Sequence, residues 1–148
     1  MLEKTTPTML VVVDGTNAAA GGGCRAPSLR RLLAVKDAAR AKWPTANVAV
    51  VVDASFRHVL SDSERAELES LCGRGEIVPA PAATVGKADA VIIALAQLHD
   101  GTIVTNDAFR EHVADFPFLT NEQRVFGIVA VDNLPVVLVP RQLGAQRG

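Results

Sequence analysis

Short apolar runs rich in β-branched residues recur along the chain, and polar segments separate them. The runs predict strands at Met9–Val13, Val48–Val52, Ile77–Val78, Ile103–Val104 and Val136–Val139, with a further strand candidate at Val125–Val131. Helical spacing between them predicts helices over Ser28–Lys42, Ser61–Cys72 and Lys87–Leu98, and a short helix from about Ala108. Strands that alternate with helices indicate a mostly parallel sheet.

The strands themselves show which layers cover that sheet. Val48–Val52 is almost continuously apolar, which is typical of a strand buried on both faces, whereas a half-exposed strand would alternate apolar and polar residues. We therefore expect a three-layer α/β/α sandwich. The 148 residues suit one domain with one substantial core, and we expect residues 1–8 and 141–148 to be loose tails.

Composition narrows the class of protein. Hydrophobic residues make up 49% and charged residues 21%, which is the balance of a folded domain, alone or as a small oligomer such as a homodimer. The first apolar run is too short for a signal peptide or a membrane span, so we expect a cytoplasmic protein without membrane contact. The two cysteines, Cys24 and Cys72, have no closely spaced Cys or His partner, which argues against a zinc site.

Charge and glycine patterns bear on the ligand. The net charge of −1 means that any contact with a nucleic acid must come from a local patch. Basic residues do cluster between Arg25 and Lys42, although a solvated helix face would look the same. No glycine-rich phosphate loop follows the first strand, which excludes a nucleotide-hydrolysing P-loop enzyme.

Acidic residues follow three of the predicted strands. Asp14 follows the first strand, Asp53 the second, and Asn106 and Asp107 the strand at Ile103–Val104. The carboxyl ends of parallel strands open into one crevice, so these side chains could converge. Converging carboxylates favour a cation between them, and oxygen ligands without His or Cys suit Mg²⁺ or Mn²⁺. This pattern indicates metal-assisted chemistry on a phosphoester.

Each acid also has a structural explanation. Asp14 begins an Asp-Gly-Thr-Asn segment that suits a turn, and Asp107 could cap the helix after it. Asp89 lies in the first turn of a predicted helix, where the helix dipole favours an acid without any function. The repeated placement at strand ends favours the functional interpretation, and Asp53 is the weakest candidate.

Four ordered segments resemble one known family, the NYN-type, Regnase-like (MCPIP-like) endoribonucleases of the PIN-like superfamily. The segments are Leu10–Ala18, Val50–Arg57, Ala88–Ala96 and Asp100–Arg110. The resemblance implies a PIN-like sandwich and a Mg²⁺- or Mn²⁺-dependent ribonuclease, with single-stranded or loop regions of RNA as the substrate. It also promotes Asp89 and demotes Asp53.

The resemblance implies a role for several residues. The acidic cluster that binds the metal would consist of Asp14, Asp89 and Asp107, with Asn17 in support. Arg57 matches a position where the family holds the RNA backbone. On charge and location, Arg25, Lys87 and Arg110 are further candidates for phosphate contacts.

One departure from the family leaves alternatives open. The family commonly has two adjacent acids where this chain has Ala88 and Asp89. The alternative function is therefore a catalytically weak PIN-like module that binds RNA or a protein. A metal-dependent phosphatase on a similar sheet is a third hypothesis, and a toxin of a toxin–antitoxin pair would be a subtype of the ribonuclease hypothesis.

Overall fold

A six-stranded sheet forms the centre of the computed structural model, which describes residues 9–20, 26–81, 88–131 and 134–144. The strands are β1 Leu10–Asp14, β2 Asn47–Val52, β3 Ile77–Pro79, β4 Thr102–Val104, β5 Val125–Val129 and β6 Val137–Pro140. Their order across the sheet is β3-β2-β1-β4-β5-β6. All neighbouring pairs are parallel except β5 and β6, which are antiparallel. The predicted mostly parallel sheet is confirmed.

In the described residues, four α-helices lie in the connections between the first four strands of the chain. They are α1 Gly15–Ala20, α2 Leu29–Lys42, α3 Asp62–Gly73 and α4 Asp89–Leu98. The serines that precede α2 and α3 cap them: the Ser28 hydroxyl accepts from the Arg31 amide and the Ser61 hydroxyl from the Glu64 amide, both at 3.3 Å. The sequence therefore predicted three of the four helices to within a few residues at each end.

The helices cover both faces of the sheet, as the alternation of side chains in β1 shows. Val11 and Val13 point into a core formed with α1, α2 and α3. Val12 points the other way, into a core formed with α4 and the segment 109–119. All three valines are fully buried. This arrangement confirms the three-layer α/β/α sandwich.

The helix α1 is absent from the sequence prediction, which reads its first residues as a turn. It follows β1 without a loop and is only six residues long. Gly15 makes this packing possible, because a Cβ there would lie 2.7 Å from Val52 Cγ1 and 3.0 Å from the Val51 carbonyl oxygen. The first turn of α1 therefore packs directly on β2, which no local pattern reveals.

The predicted short helix from about Ala108 is wrong. Residues 110–115 form turns, and a single turn of 3-10 helix follows at Pro117–Thr120. The Asp107 carboxylate accepts from the Phe109 amide at 2.8 Å, and Phe109 has a left-handed φ of 47°. The left-handed φ of Phe109 takes the backbone out of the right-handed helical region, so no helix continues from Ala108.

The described end of the chain also differs from expectation. Residues 141–144 belong to a predicted loose tail, yet Leu143 is buried in the same core as the α4 side chains, and Arg141 bonds to two carbonyls of the loop after β4. Residues 1–8 and 145–148, the other parts of the predicted tails, lie outside the described residues. In the ranges that the structure describes, no helix has the length and hydropathy needed to cross a bilayer.

Candidate active site

Asp14 ends β1 at the carboxyl edge of the sheet. Its side chain is only 4% exposed. One oxygen, Oδ2, accepts from the Thr105 hydroxyl at 2.8 Å, and Oδ1 accepts from the Asn17 amide at 3.4 Å. Burial raises the pKa of the carboxyl from 3.8 to about 7; the two hydrogen bonds oppose this rise, and the Asp89 and Asp107 charges add to it. Without a cation, the pocket thus disfavours an ionised Asp14.

Asp107 approaches Asp14 because β4 lies beside β1 in the sheet. The loop after β4 carries it, and Thr105 in that loop connects the two acids. The Thr105 hydroxyl donates to Asp14 and accepts from the Asp107 amide at 2.9 Å. Thr105 is completely buried, so this arrangement is shielded from competing water.

Asp89 reaches the same place from the first turn of α4. Asp53, at the end of β2, holds the start of that helix, since its Oδ1 accepts from the Ala88 amide at 2.6 Å. The Asp53 amide in turn donates to the Thr16 hydroxyl at 2.8 Å, which ties it to α1. The Asp53 carboxylate therefore stabilises the start of α4, the helix that carries Asp89.

The structure brings three of the predicted acids together. Asp14, Asp89 and Asp107 each offer a carboxylate oxygen, and the three oxygens lie within 4.8 Å of one another. In the described residues, Asp53 is not a member of this group. An all-carboxylate set fits a hard divalent cation, which would also offset the repulsion and the desolvation that disfavour ionised Asp14.

Asn17 and Asn106 brace the edge of the cluster. Asn17 Oδ1 accepts from the Asn106 amide at 2.8 Å. The Asn106 side chain then pairs with β5: Oδ1 accepts from the Ile128 amide at 2.7 Å, and Nδ2 donates to the Ile128 carbonyl at 3.0 Å. These bonds hold α1, β5 and the loop that precedes Asp107 in one arrangement.

Arg141 supports the same loop from the other side. Its Nη1 donates to the Thr105 carbonyl at 2.7 Å and to the Asp107 carbonyl at 2.9 Å. Burial lowers the pKa of the guanidinium while the Asp107 charge raises it, and an arginine keeps its charge in such a setting. Gly127 leaves room for the side chain, because a Cβ there would lie 2.9 Å from Arg141 Cδ.

The roles of Thr105 and Arg141 were not predicted from the sequence. Nothing local marks Thr105 apart from its place between a strand and Asp107, and that position was the one available signal. Arg141 lies in a Gln-, Arg- and Gly-rich stretch that predicts a loose tail. Its partners are 36 and 34 residues away in the chain, so no short motif identifies it.

The structure describes two of the four basic residues that were predicted to contact phosphates, Arg110 and Arg57. Arg110 is exposed and lines a groove of about 580 Å³ together with Arg141, next to the loop that carries Asp107. Arg57 lies in a 3-10 turn after β2 and forms an ion pair with Glu69 at 2.7 Å, with both side chains about half exposed. Arg25 and Lys87 lie outside the described residues.

Comparisons with known proteins agree with this architecture. The sequence model of the Zc3h12a-like Ribonuclease NYN domain family matches residues 7–133. No curated protein sequence matches the chain. Two structures of nuclear protein-only RNase P 2 (PRORP2) from Arabidopsis thaliana are similar, with TM-scores of 0.71 and 0.70 at 17% and 18% identity. Each match covers 90% of this chain but 30% of the plant chain, and at this identity the likeness shows the fold alone.

Proposed function

Because the chain belongs to the Zc3h12a-like ribonuclease NYN domain family, as its sequence resemblance predicted, we propose that it is a divalent-metal-dependent endoribonuclease. The observation that carries this proposal is the convergence of Asp14, Asp89 and Asp107 at the carboxyl edge of the sheet. Ligands bind at this edge in open α/β sheets. The net reaction adds water across a P–O ester bond of RNA: a new P–O bond forms from water, and the leaving oxygen takes a proton.

The three aspartates would hold the cation, Mg²⁺ or Mn²⁺. When bound, such an ion would lower the pKa of a coordinated water and neutralise charge on the phosphate. The remaining residues position these ligands. Thr105 holds Asp14 and the loop of Asp107, and Asp53 holds the helix that begins at Asp89.

Basic residues beside the cluster would meet the RNA backbone. Arg110 and Arg141 line a groove at the Asp107 side, where their charges suit phosphates on the strand next to the cleaved bond. Arg57 forms an ion pair with Glu69 in the structure, so it would have to leave Glu69 before it could bind a phosphate. Arg25 and Lys87 stay candidates on their charge and sequence position alone.

A second candidate function is a catalytically weak module that binds RNA or a protein, and Ala88 is the observation in its favour. Ala88 is 1% exposed and packs in the core beside α4. A second acid at this position would therefore need a different local arrangement. The cluster here depends on three carboxylates, and the weak-module hypothesis holds if three are too few for turnover.

The decisive experiment measures cleavage of an RNA that contains stems and single-stranded loops, with Mg²⁺, Mn²⁺ or EDTA. We expect internal cleavage that EDTA abolishes and that Asp14→Asn and Asp107→Asn reduce by at least about a hundredfold. Asp100→Asn is the matched control, because Asp100 is 92% exposed and precedes β4 at the opposite edge of the sheet.

Three outcomes would contradict the proposal. RNA that is bound with EDTA present but never cut would favour the binding module. Turnover of a small phosphate ester without cleavage of RNA would favour a phosphatase. Cleavage that Asp14→Asn leaves unchanged would remove the aspartate cluster from the reaction.

Five further properties stay predictions: a preference for single-stranded RNA, a homodimer, the choice of Mg²⁺ over Mn²⁺, a single-domain organisation and a cytoplasmic location.

A further inference from the structure

A cavity of about 120 Å³ lies beside the aspartate cluster, on the side of α1 and α2. Two residues that line the cavity, Asn17 and Asn106, also form the hydrogen bonds at the edge of the cluster. Asn17 bonds to Asp14 through its amide, and Asn106 immediately precedes Asp107. A group bound in the cavity would therefore lie next to a phosphate held at the cluster.

The walls of the cavity combine polar and apolar surface in about equal parts, and Asn17, Asn106 and Arg31 are among the lining residues. Val35 of α2, Ile128 of β5 and Val136 form the apolar part, together with three alanines. A phosphate would place some of its charged oxygens against the apolar part of this lining, where they would lose water without a polar partner. A flat ring would bury its faces against these side chains and gain from the removal of apolar surface from water.

One positively charged side chain, that of Arg31, lies in the wall of the cavity. Arg31 of α2 lines the cavity, and backbone bonds fix its orientation: Nε donates to the Ala19 carbonyl at 3.0 Å, and Nη2 donates to the Ala26 carbonyl. These two bonds use two of the five guanidinium donors. An arginine held in this way presents a preorganised donor to a carbonyl oxygen on the edge of a ring.

From this combination we propose that the cavity is a subsite for one pyrimidine base of the RNA, adjacent to the cleaved phosphate. The inference rests on the proposed ribonuclease function and adds a substrate preference to it. The volume excludes full burial of a two-ring base, since a larger protein cavity of roughly 150 Å³ holds only one benzene ring. Uracil and cytosine share a carbonyl oxygen next to the glycosidic nitrogen, which is an acceptor that Arg31 can serve.

The test fills the cavity from its rim. Ala34 lines the cavity, lies on α2 and is exposed, so Ala34→Leu adds volume at the opening without disturbing the core. Ala41→Leu is the matched control, because Ala41 is also exposed on α2 but does not line this cavity. Thermal melting of both variants checks that they fold like the wild type.

The first measurement needs no catalysis. Uridine, cytidine and adenosine are titrated into the protein in EDTA, and amide chemical shifts are followed by NMR. We expect uridine and cytidine to shift the Ile128 and Asn106 signals and to bind about tenfold more tightly than adenosine. Ala34→Leu should weaken uridine binding about tenfold, and Ala41→Leu should leave it unchanged.

The second measurement sequences the ends produced from a randomised single-stranded RNA in Mn²⁺. We expect a pyrimidine next to the cut in the wild type and in Ala41→Leu, and a loss of that preference in Ala34→Leu. Cleavage without base preference, together with no nucleoside binding, would overturn the subsite and leave the ribonuclease proposal intact.

The remaining outcomes separate the two proposals. Equal binding of adenosine and uridine would overturn the assignment to pyrimidines. Uridine binding at the cavity that Ala34→Leu weakens, without any cleavage of RNA, would support the subsite while the nuclease proposal fails. Binding of uridine that both variants leave unchanged would place it elsewhere and overturn the inference.

Discussion

Replacing Asp14 by asparagine should stabilise the metal-free protein while it abolishes cleavage. The pKa of Asp14 is raised to about 7 in the folded protein from 3.8, so the folded state binds this proton more tightly than the unfolded chain does. Stability from this group is therefore greatest below pH 3.8, falls as pH rises to about 7, and is constant above that. A pKa difference of about 3, at about 1.4 kcal/mol per pKa unit, corresponds to about 4 kcal/mol at pH 8.

Asparagine removes this penalty but loses part of the local bonding. Its amide oxygen can still accept from the Asn17 amide, whereas the Thr105 hydroxyl loses the carboxylate oxygen to which it donates at 2.8 Å. A lost hydrogen bond of this kind costs about 1 to 2 kcal/mol. The net expectation at pH 8 in EDTA is a gain of about 2 kcal/mol, or about 4 to 8 °C in Tm for a domain of this size.

The assay is thermal and urea unfolding of the wild type and Asp14→Asn in EDTA from pH 5 to pH 9. The difference between the two proteins should grow as pH rises to about 7 and then level off. Mn²⁺ should raise the Tm of the wild type and leave that of the variant almost unchanged. A difference that does not vary with pH would show that burial of the Asp14 charge does not limit the stability of the metal-free protein.

Three further predictions follow from residues around the cluster. Asp53→Ala should weaken Mn²⁺ binding about tenfold to a hundredfold by calorimetry, because it releases the start of α4, and Asp53→Asn should have a much smaller effect because it keeps the accepting oxygen. Gly127→Ala should lower kcat by about tenfold or more, because the added Cβ would displace Arg141. Gly73→Ala is the control: a Cβ there meets open space, so kcat should not change. Ile92→Ala should lower the free energy of unfolding by about 2 to 5 kcal/mol in urea, because Ile92 is completely buried; a loss under 1 kcal/mol would mean that the core beside α4 is loosely packed.

The sequence determined much of the fold because the relevant signals are local. The apolar β-branched runs predicted the strands, and Ser28 and Ser61 marked the starts of α2 and α3 through bonds to amides three residues ahead. The almost continuously apolar run at Val48–Val52 predicted helices on both faces of the sheet. The convergence of Asp14 and Asp107 could also be predicted, since the carboxyl ends of parallel strands share one edge of the sheet.

The tertiary structure decided which acids meet and what holds them. Asp53 and Asp107 both follow strands that are parallel neighbours of β1, yet Asp53 bonds to the start of α4 while Asp107 joins Asp14. The family resemblance predicted Asp89 as a ligand; its position at the cluster depends on the packing of α4. Thr105 and Arg141 bond to partners 91 and 34 to 36 residues away. Local patterns specify strands, helices and caps, whereas contacts across the sheet depend on strand order, which no local pattern encodes.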